Sequence, residues 1–296
     1  MVTSISFDIR QKVVSTSTSL GWTAPHVSYI YEADVTDLII EFDKLTKSRG
    51  IDNNITLNAI LMKVIINGIK KAPRVNAHVH YNKWLSSGNI NIIDRIDINT
   101  AILLSDKRMI TIKLNDCGNK SIQDLACCIY DLKNKLYNTN IDIALLNVGL
   151  EDTIKRLKQG KFFSSFGRIA GLKLGKNKLR KINKHEKDVY KNISKKNHLC
   201  NEELNMGTFT ISNLGSVVRG TNGFPALIDL ISPQVMAIGI GAVQEKPILY
   251  KAQITPRRII PFCIVFDHRA LDFGDVAPLI NEMESIFQNP EIIHTW

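Results

Sequence analysis

Three apolar runs in the last third of the chain constrain its fold more than any other feature. Residues 207–215 (GTFTISNLG) alternate toward a turn that ends in glycine, residues 232–243 (SPQVMAIGIGAV) contain a proline near their start, and residues 257–266 (RRIIPFCIVF) are mostly apolar. Short apolar runs bounded by glycine and proline are typical of buried β-strands. We therefore expect a sheet whose strands from this region lie in the core.

Helices and further strands are interspersed along the rest of the chain. Two more strand predictions cover 90–99 and 100–115, the latter as a hairpin around Asp106, and an alternating strand is expected at His26–Val35. Apolar spacing predicts helices over 37–49, 56–71, 121–137 and 276–287. This order favours a mixed α/β layered sandwich over a regular doubly wound sheet.

Composition describes an ordinary globular chain of 296 residues, with 44% hydrophobic and 22% charged residues. No run of about 18 apolar residues predicts a membrane span, and the N-terminus lacks the layout of a secretory signal. The five cysteines include no C-x-x-C pair, which favours reduced thiols and a cytoplasmic protein and gives no reason to expect a zinc site.

Positive charge is concentrated in residues 151–199, which carry fifteen Lys or Arg and four Asp or Glu, a net +11, whereas the remaining residues sum to −1. Apolar residues recur there at near-helical spacing between Phe162 and Leu172. Four interpretations stay open: a solvated helical hairpin packed on its own oligomer, a docking site for an acidic carrier or for coenzyme A phosphates, an interfacial membrane helix, and a nucleic-acid site, for which no recognised module is present.

Two polar positions follow the apolar runs and are candidates for chemistry. His268 lies just beyond the run 257–266, with Asp272 four residues later. A histidine at a strand end can act as a general base, although a structural or surface histidine is the plainer interpretation. Ser212 lies in the turn after an alternating strand, where its hydroxyl can stabilise an oxyanion or simply form a turn.

Taken together, these blocks resemble the catalytic domain of the dihydrolipoamide acyltransferases of 2-oxo acid dehydrogenase complexes, and through it chloramphenicol acetyltransferase. The resemblance implies a chloramphenicol acetyltransferase-like two-layer α/β sandwich, with a mixed sheet and helices on one face, as a single domain over 1–296 with a basic insertion at 151–199. The blocks that carry it are 207–216 (GTFTISNLGS), 224–249 (FPALIDLISPQVMAIGIGAVQEKPIL) and 267–272 (DHRALD), with weaker similarity at 24–36 and 70–79.

The resemblance also implies a role for each candidate residue. His268 would be the general base, with its other ring nitrogen held by its own backbone carbonyl, and Ser212 would stabilise the oxyanion from a neighbouring subunit. Asp272 would be structural and paired with Arg10. The implied protein is a homotrimer, or a higher multiple of trimers, that transfers an acyl group directly between coenzyme A and a thiol, hydroxyl or amine acceptor without a metal.

Two departures from the family pattern bear on function. Phe273 stands where the family usually has glycine, and a backbone with positive φ there would strain it. We also expect no lipoyl domain before the catalytic domain and no lipoyl group on this chain, and therefore a stand-alone member served by an acidic carrier or a separate lipoyl domain. The alternative is a non-catalytic trimeric scaffold or binding protein that retains the fold.

Overall fold

The computed structural model describes residues 2–3, 6–49, 54–104, 109–158, 183, 188, 190, 197–218 and 220–296. The chain divides into two compact units, one formed by residues 1–19 and 132–205 and the other by residues 20–131 and 206–296. The expectation of a single domain over 1–296 stays a prediction. The apolar stripe between Phe162 and Leu172 lies outside the described residues.

The first unit is helical where it is described. It contains most of α1 (Ile9–Gly21), the end of α4 (Ile122–Tyr137), α5 (Ile141–Lys158) and the short α6 (Asn201–Leu204). The segment before α6 is tied to the end of α4 by polar contacts. The Leu199 amide donates to the Thr139 hydroxyl at 2.8 Å, and the Lys135 ammonium lies 2.6 Å from the Glu203 carboxylate.

The second unit is built on a seven-stranded mixed sheet. Its strands are β1 (His26–Asp34), β4 (Ile98–Leu103), β5 (Met109–Leu114), β6 (Phe209–Asn213), β7 (Met236–Ile240), β8 (Gln244–Tyr250) and β9 (Gln253–Asp267). Their order is β1-β9-β7-β6-β4-β5, and β8 pairs with the first half of β9. β6 runs parallel to β4 and to β7, and the other pairs are antiparallel. The predicted mixed sheet is therefore confirmed.

Helices pack on one face of this sheet. They are α2 (Thr36–Arg49), α3 (Leu57–Lys71) and α7 (Phe273–Gln288). Tyr31 of β1 and Phe262 of β9 lie on this face, and both rings contact the ring of Phe287 from α7. α3 approaches α7 closely at Gly68, where a Cβ would lie 3.0 Å from the carbonyl oxygen and the side chain of Leu279. The predicted two-layer α/β sandwich is confirmed.

The opposite face of the central strands is covered by chain without regular secondary structure. Leu230 is buried against Ala237, Cys263 and Val265, which lie on β7 and β9. A side chain at Gly239 would meet Ile228 at 3.1 Å, so this covering segment lies directly against the sheet. The central strands are therefore shielded on both faces, as their nearly continuous apolar sequence predicts.

A separate two-stranded sheet corrects one prediction. β2 (Ala77–Asn82) pairs with β3 (Ser87–Ile92) in antiparallel register. The predicted strand over 90–99 is wrong, because β3 ends at Ile92 and the main sheet resumes only at Ile98. The hairpin of β4 and β5 is confirmed, while its turn at Asp106 lies outside the described residues.

Candidate active site

The turn after β9 holds His268 in a fixed position. The His268 amide donates to the carbonyl of Pro25 at 3.0 Å. Asp267, which is 1% exposed, accepts hydrogen bonds from the Arg269 amide at 2.9 Å and from its Nη2 at 2.6 Å. These bonds raise the pKa of Arg269 above its ordinary value, and its guanidinium also lies 5.2 Å from the centre of the Tyr81 ring. The histidine thus stands on a rigid, buried support.

The His268 ring has one nitrogen bound to the protein. Its Nδ1 lies 3.1 Å from the Leu271 carbonyl oxygen and 3.2 Å from Asp272 Oδ1. Both neighbours accept hydrogen bonds only, so they place the proton on Nδ1 and leave the lone pair on Nε2. The side chain is half exposed, and Nδ1 is the ring nitrogen with acceptors close to it. The implied bond to the histidine's own carbonyl is wrong, because the acceptor is the carbonyl three residues later.

Asp272 has a structural role as the N-cap of α7. It forms a capping box with Asp275, whose Oδ2 accepts a hydrogen bond from the Asp272 amide at 3.1 Å. The Asp272 carboxylate is 79% exposed and lies beside the His268 ring. Arg10, its expected partner, belongs to the other compact unit, so that pairing stays a prediction.

Phe273 adopts an ordinary helical position. It is the first residue of α7, which therefore begins three residues before the predicted start, and it is not among the described residues with positive φ. Its half-exposed ring packs edge-on against Tyr29 and Phe266, with centroid distances of 5.9 and 5.3 Å. The turn after Asp272 is thus accommodated by a helix N-terminus and does not require glycine.

An open recess of about 420 Å³ adjoins His268. Its walls include Arg74, whose Nε lies 3.3 Å from Asp275 Oδ1, and Ile90 from β3. The sequence did not predict Arg74, Ile90 or Asp275 as residues of the site. The spacing of Asp272 and Asp275 was a readable capping signal, whereas the approach of Arg74 and Ile90 depends on tertiary structure. The full lining is Arg74, Ile90, His268, Arg269, Ala270, Leu271, Asp272, Gly274 and Asp275.

Ser212 lies inside β6, one residue before its end, so the expectation that it lies in the turn after the strand is wrong. It is also far from His268 within one chain. In the sheet register Ser212 pairs with Gly239, and Gly239 pairs with Cys263. Cys263 is four residues before Asp267, which is the last residue of β9 and directly precedes His268, so the Cα atoms of Ser212 and Asp267 are separated by about 13 Å along the strands and about 10 Å across them. The resulting Cα–Cα distance between Ser212 and Asp267 is about 16 Å.

Comparison with known proteins identifies the family of this chain. The model of the 2-oxoacid dehydrogenases acyltransferase family (catalytic domain) matches residues 3–146 and 173–295. The chain belongs to this acyltransferase family. The unmatched residues, 147–172, include the first half of the basic insertion.

Curated relatives of the family match over part of the chain. The dihydrolipoyllysine-residue acetyltransferase component of the pyruvate dehydrogenase complex from Staphylococcus epidermidis is 33% identical over 95 residues, which are 32% of this chain and 21% of that protein. The mitochondrial succinyltransferase component of the 2-oxoglutarate dehydrogenase complex from Saccharomyces cerevisiae is 30% identical over 95 residues, 32% of this chain and 20% of that protein. The matched stretch thus spans about a fifth of these relatives.

Solved structures show the same fold over nearly the whole chain. A probable dihydrolipoamide acetyltransferase from Listeria monocytogenes superposes with a TM-score of 0.64 at 17% identity, covering 97% of this chain and 95% of that one. The dihydrolipoamide acetyltransferase of Azotobacter vinelandii gives 0.62 at 17% identity, covering 99% and 94%. The family assignment and the fold therefore agree.

The part of the chain that the structure describes also bears on metals and membranes. Among those residues no group of three or more His, Cys, Asp or Glu side chains is placed to hold a metal ion. No helix within the same residues is both long and apolar enough to cross a membrane.

Proposed function

We propose that the protein is an acyltransferase that moves an acyl group between a coenzyme A thioester and a thiol, hydroxyl or amine acceptor. The observation that carries this proposal is the His268 ring, whose Nδ1 is held by Leu271 and Asp272 while the half-exposed side chain lines an open recess. A neutral imidazole in this tautomer is a general base, which contributes about 10²–10⁴ in rate. The family assignment supports the same chemistry.

The reaction needs one proton transfer and one carbonyl addition. His268 Nε2 removes the proton from the acceptor, and the acceptor atom attacks the thioester carbonyl. Ser212 donates its hydroxyl hydrogen to the tetrahedral oxyanion, an interaction worth about 10²–10³ in rate. Collapse of the intermediate breaks the carbon–sulfur bond, and the imidazolium returns the proton to the departing thiolate. No acyl-enzyme forms in this scheme.

The site is proposed to form between copies of the chain. The Cα–Cα distance of about 16 Å between Ser212 and Asp267, the residue before His268, within one chain supports a serine supplied by a neighbouring copy. A solved relative with a TM-score of 0.63 forms the cubic core of a pyruvate dehydrogenase multienzyme complex, and a cube places identical subunits around threefold axes. We therefore propose a homotrimer, or a multiple of trimers, as the active assembly.

The non-catalytic scaffold is the competing proposal, and Phe273 was its main support. The helical conformation of Phe273 removes that argument, because the turn that carries His268 is complete without a glycine. Docking of an acidic carrier or lipoyl domain, contact of residues 151–199 with a membrane surface, and the cytoplasmic location remain proposals that rest on charge and cysteine usage.

Acyl transfer from acetyl- and succinyl-coenzyme A to dihydrolipoamide tests the proposal. His268→Ala should lower kcat by about 100-fold or more and leave the melting temperature and oligomer size unchanged. His80→Ala is the matched control, because His80 is an exposed histidine outside the recess, and it should retain wild-type turnover. Wild-type turnover in His268→Ala would refute the base assignment, and failure of the native protein to bind acetyl-coenzyme A at millimolar concentration would favour the scaffold.

A further inference from the structure

A chain of polar contacts joins the end of α3 to the His268 ring. Arg74 lies in the short 3-10 turn (Pro73–Val75) that follows α3, and its Nε is 3.3 Å from Asp275 Oδ1. The other oxygen of Asp275 accepts the Asp272 amide at 3.1 Å. Asp272 Oδ1 in turn lies 3.2 Å from His268 Nδ1. All four residues line the same recess.

Asp275, in the middle of this chain of contacts, is less exposed to solvent than Asp272 next to the histidine. The Asp275 side chain is 22% exposed, whereas the Asp272 carboxylate beside the histidine is 79% exposed. An exposed carboxylate held only by solvent would sample several rotamers. Here the backbone that carries it is fixed by Asp275, which also lies in the first turn of α7, where a negative charge is favoured by the helix dipole. Asp275 therefore binds Arg74 through Oδ1 and the Asp272 amide through Oδ2.

The packing behind these contacts is rigid. α3 and α7 approach each other so closely at Gly68 that a single added Cβ would meet the Leu279 backbone at 3.0 Å. Arg74 follows α3 directly, and Asp275 lies in the first turn of α7, so the ion pair joins two elements whose relative position is already set. The Arg74–Asp275 pair can therefore hold the Asp275 side chain in a position set by the end of α3.

We propose that Arg74 and Asp275 are positioning residues for His268. Asp275 fixes the first turn of α7, Arg74 fixes Asp275, and Asp272 is thereby held against Nδ1 so that the proton stays there and Nε2 is directed into the recess. This inference rests on the proposed acyl transfer. Because a displacement of about 1 Å in a catalytic group can cost about 100-fold in rate, the loss of either residue should slow chemistry more than binding.

Steady-state kinetics on the full chain test this with three variants and one control. Asp275→Ala should lower kcat about tenfold and Arg74→Gln about fivefold, with KM for both substrates within about twofold of wild type. Arg74→Lys, which keeps the positive charge, should recover to within about twofold. The control is Lys44→Gln, which removes the surface ion pair with Glu41 and should leave kcat unchanged.

Nitrogen-15 spectra of labelled protein give a readout that does not depend on turnover. Wild-type His268 should show the Nδ1–H tautomer, and Asp275→Ala and Arg74→Gln should show a measurable Nε2–H population. Unchanged kcat together with an unchanged tautomer would overturn the inference, as would a rate loss that appears entirely in KM or that Arg74→Lys fails to recover. If the native protein turns over none of the acyl donors, the proposed function fails, and the tautomer of His268 alone decides the positioning roles.

Discussion

Mixed assembly of two inactive variants is the sharpest test of how this active site is built. The perturbation combines Ser212→Ala subunits with His268→Ala subunits. Within one chain the Cα atoms of Ser212 and of Asp267, the residue before His268, are about 16 Å apart, worked from the sheet register and the usual strand spacings. An oxyanion donor must lie about 3 Å from the reacting oxygen. In the proposed assembly the serine and the histidine of one site therefore come from two different subunits.

The expected magnitude follows from the geometry of a closed ring. Each site takes its histidine from one subunit and its serine from the next. In a random equal mixture about one quarter of the sites combine an intact His268 from a Ser212→Ala subunit with an intact Ser212 from a His268→Ala subunit. Each variant alone should retain about 1% or less of wild-type activity. The mixture should therefore recover about 25% of it.

The assay is transfer from acetyl-coenzyme A to dihydrolipoamide after the two variants are unfolded together and reassembled. The control is the same two proteins reassembled separately and then combined, which should stay inactive as long as subunits do not exchange. If the co-assembled mixture shows only the mean of the two inactive variants, although mixed oligomers are demonstrated by mass, the idea of a site shared between copies is refuted.

Three further predictions concern packing, protonation and thiol reactivity. Gly68→Ala should destabilise the protein by about 1–3 kcal/mol in urea unfolding, because its Cβ would overlap α7, whereas Gly274→Ala, with no atom within 4 Å, should be neutral. Burial lowers the pKa of His78 below 6.5, so the unfolded state binds more protons and stability should fall as the pH drops below about 6.5; His78→Asn should flatten this dependence. Burial raises the pKa of the Cys117 thiol to about 12, so iodoacetamide at pH 8 should alkylate the exposed Cys200 and leave Cys117 unmodified until the protein unfolds, as read by mass spectrometry.

The sequence predicted best where local signals and tertiary packing agree. The helix over 121–137 was predicted from its apolar stripe, and the structure begins it at Ile122 with Ser121 accepting the Asp124 amide. The apolar runs 232–243 and 257–266 contain strands because only a buried sheet interior accommodates them. In such segments the hydrophobic pattern of the sequence matches the burial of the same residues in the folded protein.

Prediction failed where the environment comes from elsewhere in the chain. The predicted strand over 90–99 overlapped β3 only at residues 90–92, and the hairpin with β2 was missed because every residue of β3 is exposed and no buried face marks it. β8 was missed because Pro247 interrupts a short, half-exposed run. His268 and Asp272 were found from local sequence, but their neighbour Arg74 is nearly 200 positions away, and only the packing of two helices brings it into the recess.

The helical start at Phe273 has a consequence for recognising relatives. A helix N-terminus accepts nearly any residue at its first position, so the position after Asp272 is under little conformational constraint. Residues other than glycine can therefore follow Asp272 while Asp272 still forms the N-cap of α7. Genome searches that demand glycine after the aspartate would discard such chains, while a pattern that asks for the two acids would retain them.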